Sequence, residues 1–174
     1  MIQIGITYQD VFFRLLIGTI VGIILGIERS RKHKAAGLRT HALVCISTTS
    51  IAMISAYGFE EFRGVATMDP ARLIVGIITG IGFLGAGIIW REPMGEVQGV
   101  TTAANIWATA GLGIGIGLGH FFLVFTTVFF ILMALHISNL YDKLSFIKKN
   151  NRNRELEAQS DPPAQEQEVN NTES

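Results

Sequence analysis

Six charged residues and two histidines fall within the fourteen positions from Glu28 to His41. Five of the six charges are basic: Arg29, Arg31, Lys32, Lys34 and Arg39. Side chains of these types can pair with carboxylates, contact lipid phosphates and anchor helix ends, but they do not make a hydrolytic centre. The rest of the chain adds no catalytic set: there is no nucleophile beside a base, no phosphate-cradling loop with its lysine and no carboxylate pair at acid/base spacing. Cys45 lies in an apolar run, where a thiol is inert, and as the single cysteine it excludes an internal disulfide. His33, His41, His120 and His136 share no ligand spacing with one another or with Cys45, so no zinc site is expected. Magnesium asks for oxygen ligands around one or two carboxylates. Glu60, Glu61, Asp69 and Asp10 are the acids available on one side, and the apolar runs hold none except Glu28 at an end. No metal and no cofactor is expected.

A basic segment flanked by apolar runs belongs to an integral membrane protein. Of the 174 residues 49% are hydrophobic, 16% are charged and 19 are glycine. The net charge of zero conceals segregation, and nothing in it points to nucleic acid. Spans are expected at about 11–27, 42–59, 73–90, 100–118 and 121–141. The last two come from one run, Val97 to Tyr141, 45 residues without Asp, Glu, Lys or Arg. As a single helix that run would reach about 67 Å, more than twice the hydrocarbon thickness, so a turn is placed near Gly117-Leu118-Gly119-His120. The expected fold is therefore all-α, with five transmembrane helices.

Orientation follows from the basic residues. With five spans, the segments 28–41 and 91–99 and the C-terminal tail share one side, which holds Arg29, Arg31, Lys32, Lys34, Arg39, Arg91, Lys143, Lys148, Lys149, Arg152 and Arg154. The other side holds Arg63 and Arg72, with Arg14 near its membrane edge. The positive-inside bias puts the N-terminus outside and the C-terminus in the cytoplasm. Residues 1–10 form an outer N-terminus, 11–141 the membrane domain and 142–174 a polar, disordered cytoplasmic tail. The first apolar run lacks the flanks of a removable signal peptide.

Gly18, Gly22 and Gly26 recur every four residues in the first span, and Gly76 and Gly80 repeat the spacing in the third. Such faces let helix backbones approach closely, so they are expected to pack helices together or to support self-association. Gly80, Gly82 and Gly85 satisfy a dinucleotide-binding spacing, but an uncharged span supplies neither the strand nor the acidic residue that the motif requires. The alternating glycines from Gly111 to Gly119 are expected to shape the turn after span four rather than to build a packing seam.

Four strings make a more specific pattern. Gly26-Ile27-Glu28-Arg29 closes the first span, and Ala36-Gly37-Leu38-Arg39-Thr40-His41-Ala42-Leu43-Val44 opens the second. Asp69-Pro70-Ala71-Arg72 opens the third, which carries Gly80-Ile81-Gly82-Phe83-Leu84-Gly85-Ala86-Gly87. Gly99-Val100-Thr101-Thr102-Ala103-Ala104, with Trp107, opens the fourth. In this order they resemble the MgtC/SapB family of bacterial inner-membrane proteins over roughly residues 10–140. The resemblance implies a non-enzymatic inner-membrane protein tied to growth under magnesium limitation and, in pathogens, to survival in phagocytes. It also implies a membrane partner, such as the ATP synthase or a transporter, or an effect on phosphate handling or membrane potential. Longer members carry a soluble C-terminal domain, and this chain is expected to be a short member without it.

On the basic side these strings gather Glu28, Arg29, Arg39, Thr40, His41, Thr101, Thr102 and Asn105. They can serve as caps and interfacial anchors, with Thr40 and Thr101 capping spans two and four. They can equally form a polar vestibule or docking surface, with Glu28 paired to Arg39. On the outer side Asp69 is expected to cap the third span ahead of Pro70 and to act as counter-ion to Arg14. Gly82, Gly85 and Gly87 join the candidate packing positions. Two functions are expected to compete: a regulator acting through a membrane partner or the proton gradient, and a small ion transporter or channel.

Overall fold

The computed structural model describes residues 6–59, 69, 71–93 and 95–137. The chain parts into two compact units, 1–130 and 131–174. The first holds almost everything described here; the described part of the second is the segment 131–137 that ends the fifth helix. The expected tail at 142–174, the acids Glu60 and Glu61, and Pro70 lie outside the described residues.

The described residues fold into five helices and one two-stranded hairpin. They are α1 (Tyr8–Arg31), α2 (Leu38–Tyr57), α3 (Ala71–Ile88), α4 (Val100–Gly117) and α5 (Phe121–Ile137). Between α3 and α4, β1 (Trp90–Arg91) pairs antiparallel with β2 (Val97–Gln98), so the segment joining the third and fourth spans carries a small hairpin. Three of the helices, α1, α2 and α3, are long and apolar enough to cross a membrane. Helix α4 matches α3 in length, yet its threonines and Asn105 make it more polar. The helix ends differ from the sequence expectation by a few residues. Most notably α1 runs four residues past Ile27 to Arg31, because its last turn is held by charge pairing rather than by apolar content.

Helix α1 packs on α2, α2 on α4, and α3 mainly on α4. Ala36, Val44, Ile77, Ile81, Ile106 and Ala110 form the apolar core where α2, α3 and α4 meet. The α1–α2 contact is built on glycine, as the spacing predicts. A Cβ on Gly18 would stand 2.8 Å from Thr49 Oγ1, one on Gly22 2.7 Å from Ala42 Cα, and one on Gly26 2.5 Å from Leu38 Cα. Backbone against backbone at this spacing maximises dispersion and leaves no room for a side chain.

Two glycine expectations are corrected. Among the described residues Gly76, Gly80, Gly82 and Gly87 have nothing within 4 Å of a Cβ position, so these four do not pack this bundle, whereas Gly85 is buried and its Cβ position meets Ala103 Cβ of α4 at 3.6 Å. Conversely, Gly113 and Gly117 do build a seam. The Cβ position of Gly113 collides with the Thr48 hydroxyl, and that of Gly117 lies 2.5 Å from Thr49 O and 2.7 Å from Ala52 Cβ. The alternation hides a four-residue repeat, of which 113 and 117 face α2 while Gly111 stays open. The turn falls where the sequence places it: α4 ends at Gly117, and Gly119 takes φ +83° before α5 begins.

Candidate functional site

The polar residues concentrate at the basic end of the bundle, where the C-terminal turn of α1 meets the N-terminal turns of α2 and α4. His41 is the only buried histidine of the four, at 0% exposure. It is fixed at both ring nitrogens: Nδ1 lies 2.9 Å from Gly37 O, and Nε2 lies 3.2 Å from Asn105 Nδ2. A carbonyl oxygen can only accept, so Nδ1 carries the proton. Nε2 then offers a lone pair to the Asn105 amide N–H. Asn105, 4% exposed, projects into the α2–α4 contact, and its Oδ1 has no hydrogen-bond partner among the described residues. Thr102 is buried one turn before it.

On α1, Arg29 is 3% exposed and donates from Nε to Glu28 Oε2. The other Glu28 oxygen lies 2.8 Å from Lys32 Nζ. This three-residue group neutralises a buried cation in place and lies within electrostatic reach of His41. Its acid does not pair with Arg39. Arg39 points outward from the first turn of α2 and makes no ion pair among the described residues, so the expected Glu28–Arg39 bridge is corrected to Glu28–Arg29 and Glu28–Lys32. The physical reason is proximity on one helix: positions 28 and 32 stand one turn apart, whereas residue 39 begins a helix whose exposed side it occupies.

Residues 15–144 match the sequence profile of the MgtC family. The chain belongs to that family. It is 38% identical over 129 residues to Protein SapB of Bacillus subtilis, covering 72% of this chain and 55% of SapB. It is 34% identical over 150 residues to "Putative magnesium transporter YhiD" of Escherichia coli K12, covering 85% of this chain and 67% of that protein. It is 40% identical over 107 residues to Protein MgtC of Salmonella typhimurium LT2, covering 62% of this chain and 43% of MgtC. The chain thus spans from 43% to 67% of the length of these relatives. No solved structure matches it.

In this MgtC-family chain the structure sorts the candidate residues. Glu28, Arg29, His41, Thr102 and Asn105 lie at or beneath the surface of one cluster. Arg39 and Thr101 are exposed, and Thr40 is half-buried. Neither threonine caps its helix. The N-cap of α2 is Gly37 and that of α4 is Gly99, each without a side-chain capping bond of its own. Gly99 has φ +88°, and a Cβ there would run into Ile88 O, so a threonine cap could not occupy that position. Ser30, which the sequence did not single out, accepts a bond from Leu38 N at 2.8 Å and does the capping of α2 from the preceding helix. Its hydroxyl eight residues ahead of α2 was the only signal, and only the tight turn brings it there. Among the described residues no group of three His, Cys, Asp or Glu side chains could hold a metal ion.

At the opposite end Arg14 takes a different partner from the one expected. Its Nη1 donates to Gly117 O at 2.6 Å and to Tyr57 Oη at 3.2 Å, and the guanidinium lies 5.3 Å from the Tyr57 ring centroid. Asp69 Oδ1 instead accepts from Ala71 N at 2.9 Å, capping α3, and no ion pair joins Asp69 to Arg14 among the described residues. The last carbonyls of α4 carry the negative end of its dipole, which a guanidinium satisfies without a carboxylate. Arg14→Ala is expected to lower stability by about 2 kcal/mol, the worth of a hydrogen bond to a charged group. Lysine at 14 should recover only part of that loss. Thermal unfolding in mild detergent measures it, with Asp69→Asn, which keeps the cap and loses the charge, expected to stay at wild-type stability. An equal loss in Asp69→Asn would reinstate the ion pair.

Proposed function

We propose that the chain is a multi-pass protein of the bacterial cytoplasmic membrane that acts on a membrane partner during adaptation to magnesium or phosphate limitation. It crosses five times, with α4 and α5 joining the three longer spans, its N-terminus outside and its C-terminus in the cytoplasm. The clustering of Arg29, Arg31, Lys32, Lys34 and Arg39 at one end of α1 and α2 supports that orientation. The reading is non-enzymatic, in line with a sequence that offers no nucleophile–base set.

The observation that carries the partner reading is the outer face of α3. It is the least buried of the three long helices, and Gly76, Gly80, Gly82 and Gly87 stand open beside exposed Val75, Phe83 and Leu84. Small residues on a lipid-exposed face suit close approach by another helix, whether from a second copy or from another protein. A second reading, an ion transporter, draws on the interior polar cluster at His41 and Asn105 and on the name of the E. coli relative.

Proteoliposomes holding only this protein separate the two. The expected result is no flux of magnesium, potassium, protons or phosphate, while Gly80→Leu abolishes growth support at low magnesium with unchanged protein level. Saturable flux that is lost in Asn105→Leu would replace the regulator with a transporter. Arg39→Ala, on the bundle's exterior, serves as the control.

A further inference from the structure

We propose that His41 and Asn105 form a proton-binding site inside the bundle, in which a proton enters on His41 Nε2 as the Asn105 amide turns over to present Oδ1. The site goes beyond the partner reading and does not depend on it. With Nδ1–H held on Gly37 O, the imidazole is neutral and has one free basic position, Nε2. That lone pair now receives the Asn105 N–H, which leaves Asn105 Oδ1 buried and without a partner among the described residues. The two ends of a carboxamide are nearly equal in size, so a half-turn about the last side-chain bond exchanges Oδ1 for Nδ2 within the same volume. In the neutral state an oxygen facing Nε2 would set lone pair against lone pair. In the imidazolium state Nε2–H donates to Oδ1 in a charge-assisted bond, while Nδ1–H stays on Gly37 O. One amide group is left unpaired in either state, so the amide orientation follows the proton.

The charged surroundings are mixed. Burial of the ring disfavours its positive form, and from α1 Arg29 opposes it as well while Glu28 favours it. Lys32 is engaged by Glu28, His33 and Lys34 are exposed on the turn, and Arg39 faces outward on the ring's own helix. Cys45, one turn along α2, is buried. Helix α4 has no ionisable residue, and the only one on α3, Arg72, lies in its first turn, far along the helix from its contact with Asn105's end of α4. The proton itself comes from the aqueous phase at the basic end, and no bond other than hydrogen bonds is exchanged.

The test uses the full chain in lipid nanodiscs, labelled with 15N at histidine and asparagine and followed by solid-state NMR from alkaline to acidic pH. His41→Gln assigns the His41 signals, and the three exposed histidines serve as internal controls. The expected result is a neutral, Nδ1-protonated ring that converts to the doubly protonated form, with the Asn105 side-chain nitrogen shifting at the same midpoint. Asn105→Asp should hold the second proton about tenfold or more tightly, as a carboxylate beside a cation does. Asn105→Leu, which removes the acceptor, should hold it more weakly. The proposal fails if His41 keeps one form until the protein unfolds. It fails equally if His41 titrates while the Asn105 amide stays still, or if Asp at 105 leaves the midpoint unchanged.

Discussion

Gly26→Leu and Gly22→Leu are expected to yield almost no folded protein, while Gly80→Leu folds at the wild-type level. Each glycine belongs to a helix of similar apolar character and recurs at the same four-residue spacing, so the sequence treats them alike. The environments differ. At Gly26 an added Cβ would meet Leu38 Cα at 2.5 Å and Leu38 N at 3.0 Å; at Gly22 it would meet Ala42 Cα and His41 O, each at 2.7 Å. At Gly80 it meets nothing within 4 Å among the described residues. Overpacking a core costs about 1–3 kcal/mol where side chains can yield. Here the colliding atoms are backbone, which no rotamer change relieves, so the cost is about 3 kcal/mol or more. Separating α1 from α2 would also displace Gly37 and His41 and so dismantle the polar cluster. Size-exclusion profiles and thermal melts after extraction in mild detergent measure the effect. Equal tolerance at 26 and 80 would contradict the close α1–α2 contact.

Glu28→Ala should destabilise the protein far more than Arg39→Ala. Removing the carboxylate leaves Arg29, 3% exposed, as a buried cation without its acceptor. Breaking a fully buried pair costs about 3–5 kcal/mol. Glu28 retains 21% side-chain exposure, so water recovers part of that loss and the expected cost is about 2–3 kcal/mol. Arg39 makes no ion pair among the described residues, and its truncation should fall within about 0.5 kcal/mol of wild type. Glu28→Gln, which keeps an acceptor for Arg29 and loses the charge, should lie between the two. The same melts read all three variants. A double variant that loses much less than Glu28→Ala alone would bring back the Glu28–Arg39 pairing.

These contrasts mark how far the residues could be read before the fold was known. The charge run at 28–41, the apolar lengths and the turn at Gly117–His120 needed only composition and spacing, because helix length and the exclusion of charge from apolar surroundings are local properties. The motif strings likewise carried the family. Partner choice was not local. Glu28 had several basic residues within reach along the chain, and the choice of Arg29 and Lys32 over Arg39 depended on which side of α2 faces α1. Arg14 had an acid at the expected depth but found a helix carbonyl, because the end of α4 comes closer than the start of α3.

What the sequence determined by itself was that the chain forms long apolar helices of the MgtC family with its cations gathered at one end. Only the tertiary structure decided which glycines are packing seams and which are open, since a Gly-x-x-x-Gly repeat reports a smooth face without saying what lies against it. It likewise decided that His41 and Asn105, separated by 64 positions, share a hydrogen bond. No periodicity encodes that contact, which exists because Gly22 and Gly26 bring α1 onto α2 while Gly113 and Gly117 bring α4 onto an adjoining face of the same helix.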